Sequence, residues 1–157
     1  MKTIAIIGAL CAAAFTLPAQ AQNVEVKNAW ARATVQGQMA SGAFLTLISK
    51  TESTLVAVSS PVAGVVELHE MKMDGDVMKM RAVEGGVKLA AGKPLELKPG
   101  GYHVMLMDLK MPLRKDTTIP LSLVFKDAKG VQTTQDVRVP VQMAAPERAS
   151  TQGQHKH

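Results

Sequence analysis

Imidazole and thioether side chains are concentrated in one part of this chain. Between His69 and Met107 lie two of its four histidines and six of its ten methionines: Met71, Met73, Met78, Met80, Met105 and Met107. The first segment reads H-E-M-K-M-D-G-D-V-M-K-M-R (69–81) and the second G-Y-H-V-M-L-M-D (101–108). Each of the two histidines has a methionine two positions on. Neutral imidazole and thioether sulfur together suit soft or borderline copper, Cu(I) above all, and few other ions. With no thiolate among the donors, such a site binds less tightly than a cysteine site, which suits an ion that must be released. Methionine is also a common filler of apolar cores, and a single histidine on a strand is ordinarily just a hydrogen-bonded polar residue. The case for a metal rests on both types recurring together in one region.

Strand alternation limits which of these side chains can converge. Residues i and i+2 of a strand share a face, about 6.6–6.8 Å apart. His103, Met105 and Met107 therefore share a face, while Tyr102, Val104 and Leu106 form an apolar opposite face suited to a core. Met78 and Met80 share a face of their own strand. One ion cannot take every methionine. The residues alone point to His69, one of Met78 and Met80, His103, and one of Met105 and Met107.

The elements that position these groups read as strands throughout. Asn23–Lys27 alternates, and Ala29–Thr34 follows as a second extended piece. Ala43–Ser49 and Thr54–Ser59 are rich in strand formers. Val65–Glu70 delivers His69, Asp74-Gly75 is a hairpin signal, and Val77–Val83 returns. Val87–Leu89 and Leu95–Leu97 are short. Lys98–Gly101 (K-P-G-G) is a tight turn leading into Tyr102–Leu109. Thr117–Phe125 and Thr133–Val141 complete the series, and Pro120 suggests an edge position or a bulge. Short strands at regular spacing, with turn residues between them and no run of helical period, predict an antiparallel β-sandwich or barrel.

The ends are of a different kind. Lys2, the apolar run over residues 4–17 and Ala19-Gln20-Ala21 have the layout of an export signal cleaved near Ala21. The run is short for a bilayer span. Cys11 lies inside it after Leu10, where a lipid-attachment site takes a small residue. Cleavage would remove Cys11, the single cysteine of the chain, and with it any disulfide, thiolate ligand or cysteine nucleophile. The expected organisation is a signal peptide over 1–21, one β-domain over 22–143 and a flexible tail over 144–157. His155 and His157 in that tail offer two imidazoles to Cu(II) as a secondary site.

Composition and motifs exclude several functions. With Lys2 gone, the 18 Lys and Arg fall to 17, against 13 Asp and Glu, and the charges are dispersed. Aromatic side chains are too few for a single-stranded nucleic-acid groove, so no nucleic-acid partner is expected. A blue-copper electron carrier needs a cysteine ligand, which the mature chain lacks. No H-E-x-x-H, phosphate loop or nucleophile arrangement stands out, and no enzyme is predicted.

The segments A-W-A-R-A-T, E-L-H-E-M, V-M-K-M-R and L-K-P-G-G-Y-H-V-M-L-M-D resemble the periplasmic PCu(A)C copper chaperone family. The motif of that family is His, ten residues, Met, about twenty-one residues, then His-x-Met. Here ten residues separate His69 from Met80 and twenty-two separate Met80 from His103, and His103-Val104-Met105 completes the pattern. The extra residue falls in a Gly- and Pro-rich connection. The resemblance spans about residues 28–140. It implies a cupredoxin-like antiparallel Greek-key β-sandwich, monomeric, with Cu(I) held by His69, Met80, His103 and Met105 in a His2Met2 site. It further implies delivery of copper in the periplasm to cytochrome c oxidase assembly, either the copper-site subunit or its assembly factors. It leaves Met71, Met73, Met78 and Met107 to packing or approach roles. A copper buffer serving resistance is the alternative use of the same reversible site.

Overall fold

A computed structural model describes residues 23–146. The predicted signal peptide and the tail residues His155 and His157 lie outside the described residues. Within them the chain forms ten strands and no helix. These are β1 (Val24–Arg32), β2 (Ala40–Ser49), β3 (Ser53–Ser59), β4 (Ala63–Asp74), β5 (Val77–Ala82), β6 (Val87–Leu89), β7 (Pro94–Leu97), β8 (Tyr102–Leu109), β9 (Thr118–Asp127) and β10 (Gln132–Gln142).

Hydrogen-bonded neighbours run β5-β4-β8-β2-β1-β10-β9-β3-β6, and β7 pairs with β2 beside this path. Every pairing is antiparallel except β1 with β10, which is parallel where Ala31 and Arg32 meet Val141 and Gln142. That junction joins two halves whose inner faces share one core. Ala43, Leu45 and Leu47 of β2 and Val104 and Leu106 of β8 belong to the same buried cluster as Leu121, Leu123 and Phe125 of β9. Alternate residues of these strands thus point inward, as face-to-face packing of sheets requires. Tyr102, Val104 and Leu106 take the inward face of β8, as the alternation predicts, and so leave His103, Met105 and Met107 for the outer face.

Three features differ from the sequence reading. The two predicted extended pieces at the start are one strand, β1, interrupted by a register shift between Lys27 and Trp30. Asn28 has φ 51° there, a left-handed conformation that asparagine tolerates better than most residues. Strand β4 continues four residues past the predicted end, to Asp74. Pro120 lies in β9, an interior strand, with β10 on one side and β3 on the other. Its carbonyl accepts the Ser60 hydroxyl just past the end of β3. A residue's carbonyl and its N–H position face the same side of a strand, so the missing N–H of Pro120 faces a place where no partner strand remains. The position is locally an edge, which is where a sheet tolerates proline.

The outer layer around β4, β5 and β8 carries the residues of interest. Asp74 pairs with Val77, leaving Gly75 and Asp76 as a two-residue hairpin loop. Gly75 has φ 63° while Asp76 does not share the left-handed conformation. A positive φ at the first central position alone is the pattern of a II′ turn rather than I′. The tight loop fixes the register, and with it which β5 residue faces which β4 residue.

Candidate metal centre

The histidines separated by 33 intervening residues in sequence are direct neighbours in the sheet. His69 of β4 is paired with His103 of β8, and their ring centroids are 5.9 Å apart at 61°. A metal–imidazole nitrogen bond is about 2 Å, so one ion can bridge rings at this spacing. Both residues are nearly buried, with exposures of 8% and 7%.

Each ring has one nitrogen engaged by the protein. His103 Nδ1 donates to the Gly101 carbonyl at 3.1 Å, which leaves Nε2 with its lone pair. That carbonyl also accepts the Met71 N–H. The K-P-G-G turn thereby joins β4 to the start of β8 and orients the imidazole. It is closed by the bond from Gly101 N–H to the Lys98 carbonyl and the bond from Lys98 N–H to the Tyr102 carbonyl. His69 Nε2 lies 2.9 Å from Glu67 Oε2, and with Nε2–H donating to the carboxylate the free lone pair falls on Nδ1. That Nδ1 is buried and has no hydrogen-bond partner among the described residues. A buried polar atom left without a partner costs about 1–3 kcal/mol. A bound ion would supply the partner, and a second group holding the far nitrogen is the usual arrangement behind a metal-binding histidine.

Sulfur surrounds this pair on the same outer face. Met80 of β5 is directly opposite Met71 of β4, and Met71 is two residues on from His69. Met78 is opposite Met73, one step further toward the hairpin tip. On the other side Met105 is paired with Glu67, and Met107 with Val65. Neighbours diagonal across two strands are about 7–8 Å apart. Met80 stands in that relation to His69, and Met105 does so as well. Met78 and Met107 lie one further step away. Met71, Met80, His103 and Met105 line one open hollow of about 310 Å³, together with Arg32 and Phe44. His69 forms the buried imidazole beside it.

Core packing does not account for the methionines of the hairpin's outer part. Met80, Met78 and Met73 are 47%, 48% and 56% exposed, and every residue of β5 is exposed. Among the described residues no three His, Cys, Asp or Glu side chains gather as a metal site. The donors that stand beside the two imidazoles on this face are thioethers, which suit a soft ion.

Three contributors were not picked out by the sequence reading. Glu67 holds His69, and alternation alone puts it on the His69 face. Met71, assigned to packing or approach, shares the hollow with Met80; its i+2 spacing from His69 was the available signal. Arg32 lies 6.0 Å from the Trp30 ring centroid and 5.7 Å from that of Phe44. Those rings stack at 4.6 Å, and Phe44 lies 6.3 Å from the His103 ring. Arg32 and Phe44 wall the hollow on the β1–β2 side, with Trp30 stacked against Phe44. This assembly depends on the register shift in β1 and on long-range pairing, which local pattern does not reveal. Gly42 admits it: a Cβ there would stand 2.8 Å from Phe44 Cζ.

Comparison with known proteins places the chain. Residues 24–141 match the LpqE-like family, described as "Putative lipoprotein LpqE-like". The chain is 34% identical over 132 residues to "Putative lipoprotein Lxx21020" of Leifsonia xyli subsp. xyli, covering 84% of this chain and 77% of that protein. The Cu(I) form of DR1885 from Deinococcus radiodurans, solved in solution, superposes with a TM-score of 0.58 at 30% identity, over 80% of this chain and 82% of that one. The copper-bound PCuAC domain of PmoF2 shares the fold, with a TM-score of 0.59 at 20% identity over 78% of this chain and 95% of that one. The chain belongs to the LpqE-like family, and its sandwich is the cupredoxin-like all-β fold shared with PCuAC domains.

Proposed function

We propose that this protein is an exported periplasmic chaperone that holds Cu(I) between His69, Met80, His103 and Met105 and passes it to cytochrome c oxidase assembly. The observation that carries this reading is the adjacent pair of nearly buried imidazoles. One ring nitrogen of each is engaged by Glu67 or by the Gly101 carbonyl, and thioethers flank them on one side of the sheet. The name of the Leifsonia relative and the Cu(I) form of DR1885 support export and a Cu(I) cargo. Export in this chain would follow cleavage near Ala21, without lipid at Cys11.

The ion bound here is cargo. Two neutral imidazoles and two thioethers would hold Cu(I) without neutralising its charge, and no thiolate anchors it. Met80 stands on the outermost strand of the sheet and is half exposed. An acceptor can therefore replace that sulfur first, and the ion can leave by stepwise ligand exchange. An accessible ligand on an edge strand favours delivery over storage.

The test is transfer. Cu(I)-loaded protein is mixed with the apo copper domain of the oxidase, the two are separated, and copper is measured in each. Delivery predicts that copper moves to the oxidase domain and that His103→Ala, which cannot be loaded, delivers none. Copper remaining on the intact protein would identify a buffer. For the tail, a chain ending at Ala149 should lose Cu(II) binding while keeping Cu(I); unchanged Cu(II) binding would remove His155 and His157 from the account.

A further inference from the structure

The β4–β5 hairpin carries more sulfur than a His2Met2 site uses. Met71 opposes Met80 and Met73 opposes Met78, in two successive cross-strand pairs on one face. The next position inward on β4 is His69, paired with His103. The four thioethers form a ladder from the hairpin tip to the imidazoles. Directly opposed side chains have Cβ atoms about 4.5–5.5 Å apart, and methionine has three rotatable bonds with which to adapt. Four sulfurs at that spacing can close on one ion.

Neither folding nor solubility accounts for the outer pair. Met73 and Met78 stand 56% and 48% exposed on the last two strands of the sheet. An edge of this kind is ordinarily protected by charge. The reverse face of the same hairpin follows that rule, with Glu70 bonded to Arg81 and Asp74 to Lys79. The hairpin is thus charged on one side and bears thioethers on the other. Thioethers are donors for Cu(I) and for Ag(I), a soft ion of the same charge, and need no deprotonation.

We propose that Met71, Met73, Met78 and Met80 form a second, thioether-only Cu(I) site on the hairpin, through which copper reaches and leaves the imidazole pair. The inference rests on the copper reading of the imidazole pair. Met80 belongs to both sites, so the ion moves inward by exchanging its bonds to Met71, Met73 and Met78 for bonds to His69, His103 and Met105 while Met80 remains attached. Only metal–ligand bonds form and break; the ion stays Cu(I), and no proton or electron is transferred.

The mature chain, with its methionine methyl groups labelled for NMR, is titrated with Ag(I) in chloride-free buffer and then with Cu(I) under reducing conditions. The first equivalent is expected to shift the Met80 and Met105 methyls, and the second, held by Met71, Met73 and Met78 once Met80 is engaged inward, those of Met73 and Met78. In the double variant Met73→Leu/Met78→Leu, which nearly conserves volume, the first equivalent should bind as before, the second should be lost, and loading from a Cu(I)–chelator complex should slow. Met73 and Met78 methyls that stay in place at two equivalents, or a double variant that still takes up the second ion, would overturn the hairpin site and leave the imidazole site standing. Shifts of Met73 and Met78 with no response from Met105 at either equivalent would support the hairpin site while sinking the His2Met2 assignment.

Discussion

At the scale of single residues, the cross-strand register separates methionines that sequence pattern leaves equivalent. Met80 lies diagonal to His69 while Met78 is one step further out, and Met105 lies closer to the imidazoles than Met107. Met80→Leu and Met105→Leu should each weaken binding of the first Cu(I) equivalent in competition with a chromophoric chelator. Met78→Leu and Met107→Leu should leave it unchanged, and the reverse ranking would refute the chosen ligands. Glu67 makes a different kind of contribution. It fixes the His69 ring through Nε2 and keeps Nδ1 free, so Glu67→Ala should cost about tenfold or more in Cu(I) affinity. Because Glu67 is half exposed on the outer face, its unfolding midpoint in urea should stay close to that of the parent chain. Of this site, His69, His103 and the shared face of His103 and Met105 were legible from alternation. The selection of Met80 came from family spacing, and Glu67 became visible only when pairing brought its carboxylate to the imidazole.

At the scale of elements, the hairpin and the K-P-G-G turn hold the site together. The Asp74-Gly75 signal was readable because two-residue loops tolerate few sequences, and it sets β5 against β4. The pairing of β4 with β8 was not readable. It joins segments more than thirty residues apart, and nothing local encodes which outer face meets which. The hairpin lies at the sheet edge and every residue of β5 is exposed, so it contributes little to the core. Gly75→Val places a β-branched side chain at φ 63° and should cost about 1–3 kcal/mol locally, little of it felt in global unfolding because the edge hairpin can fray alone. It should lower Cu(I) affinity more clearly, because Met80 loses its fixed register. Urea unfolding and chelator competition on the same variant check both halves. A large loss of stability with intact affinity would contradict this division of labour.

At the scale of the whole molecule, one layer of the sandwich supports the chemistry and the other supports that layer. The all-β architecture follows from short alternating segments with turn residues between them, and the cupredoxin-like sandwich bears out that expectation. The parallel β1–β10 junction does not follow from local pattern, since it pairs the first strand with the last. Leu121 is fully buried in β9, within the layer away from the histidines. Leu121→Ala should cost about 3 kcal/mol of stability yet keep the Cu(I) affinity of the folded fraction, as read by denaturation and by chelator competition well below the unfolding midpoint. The central claim is that one Cu(I) is held by two imidazoles and two thioethers, and X-ray absorption at the copper edge of the protein loaded with one equivalent tests it most directly. The account predicts a Cu(I) edge with a first shell of both nitrogen and sulfur, the sulfur contribution falling in Met80→Leu and the nitrogen contribution falling in His103→Ala. A first shell of nitrogen and oxygen alone, unchanged by Met80→Leu, would contradict it.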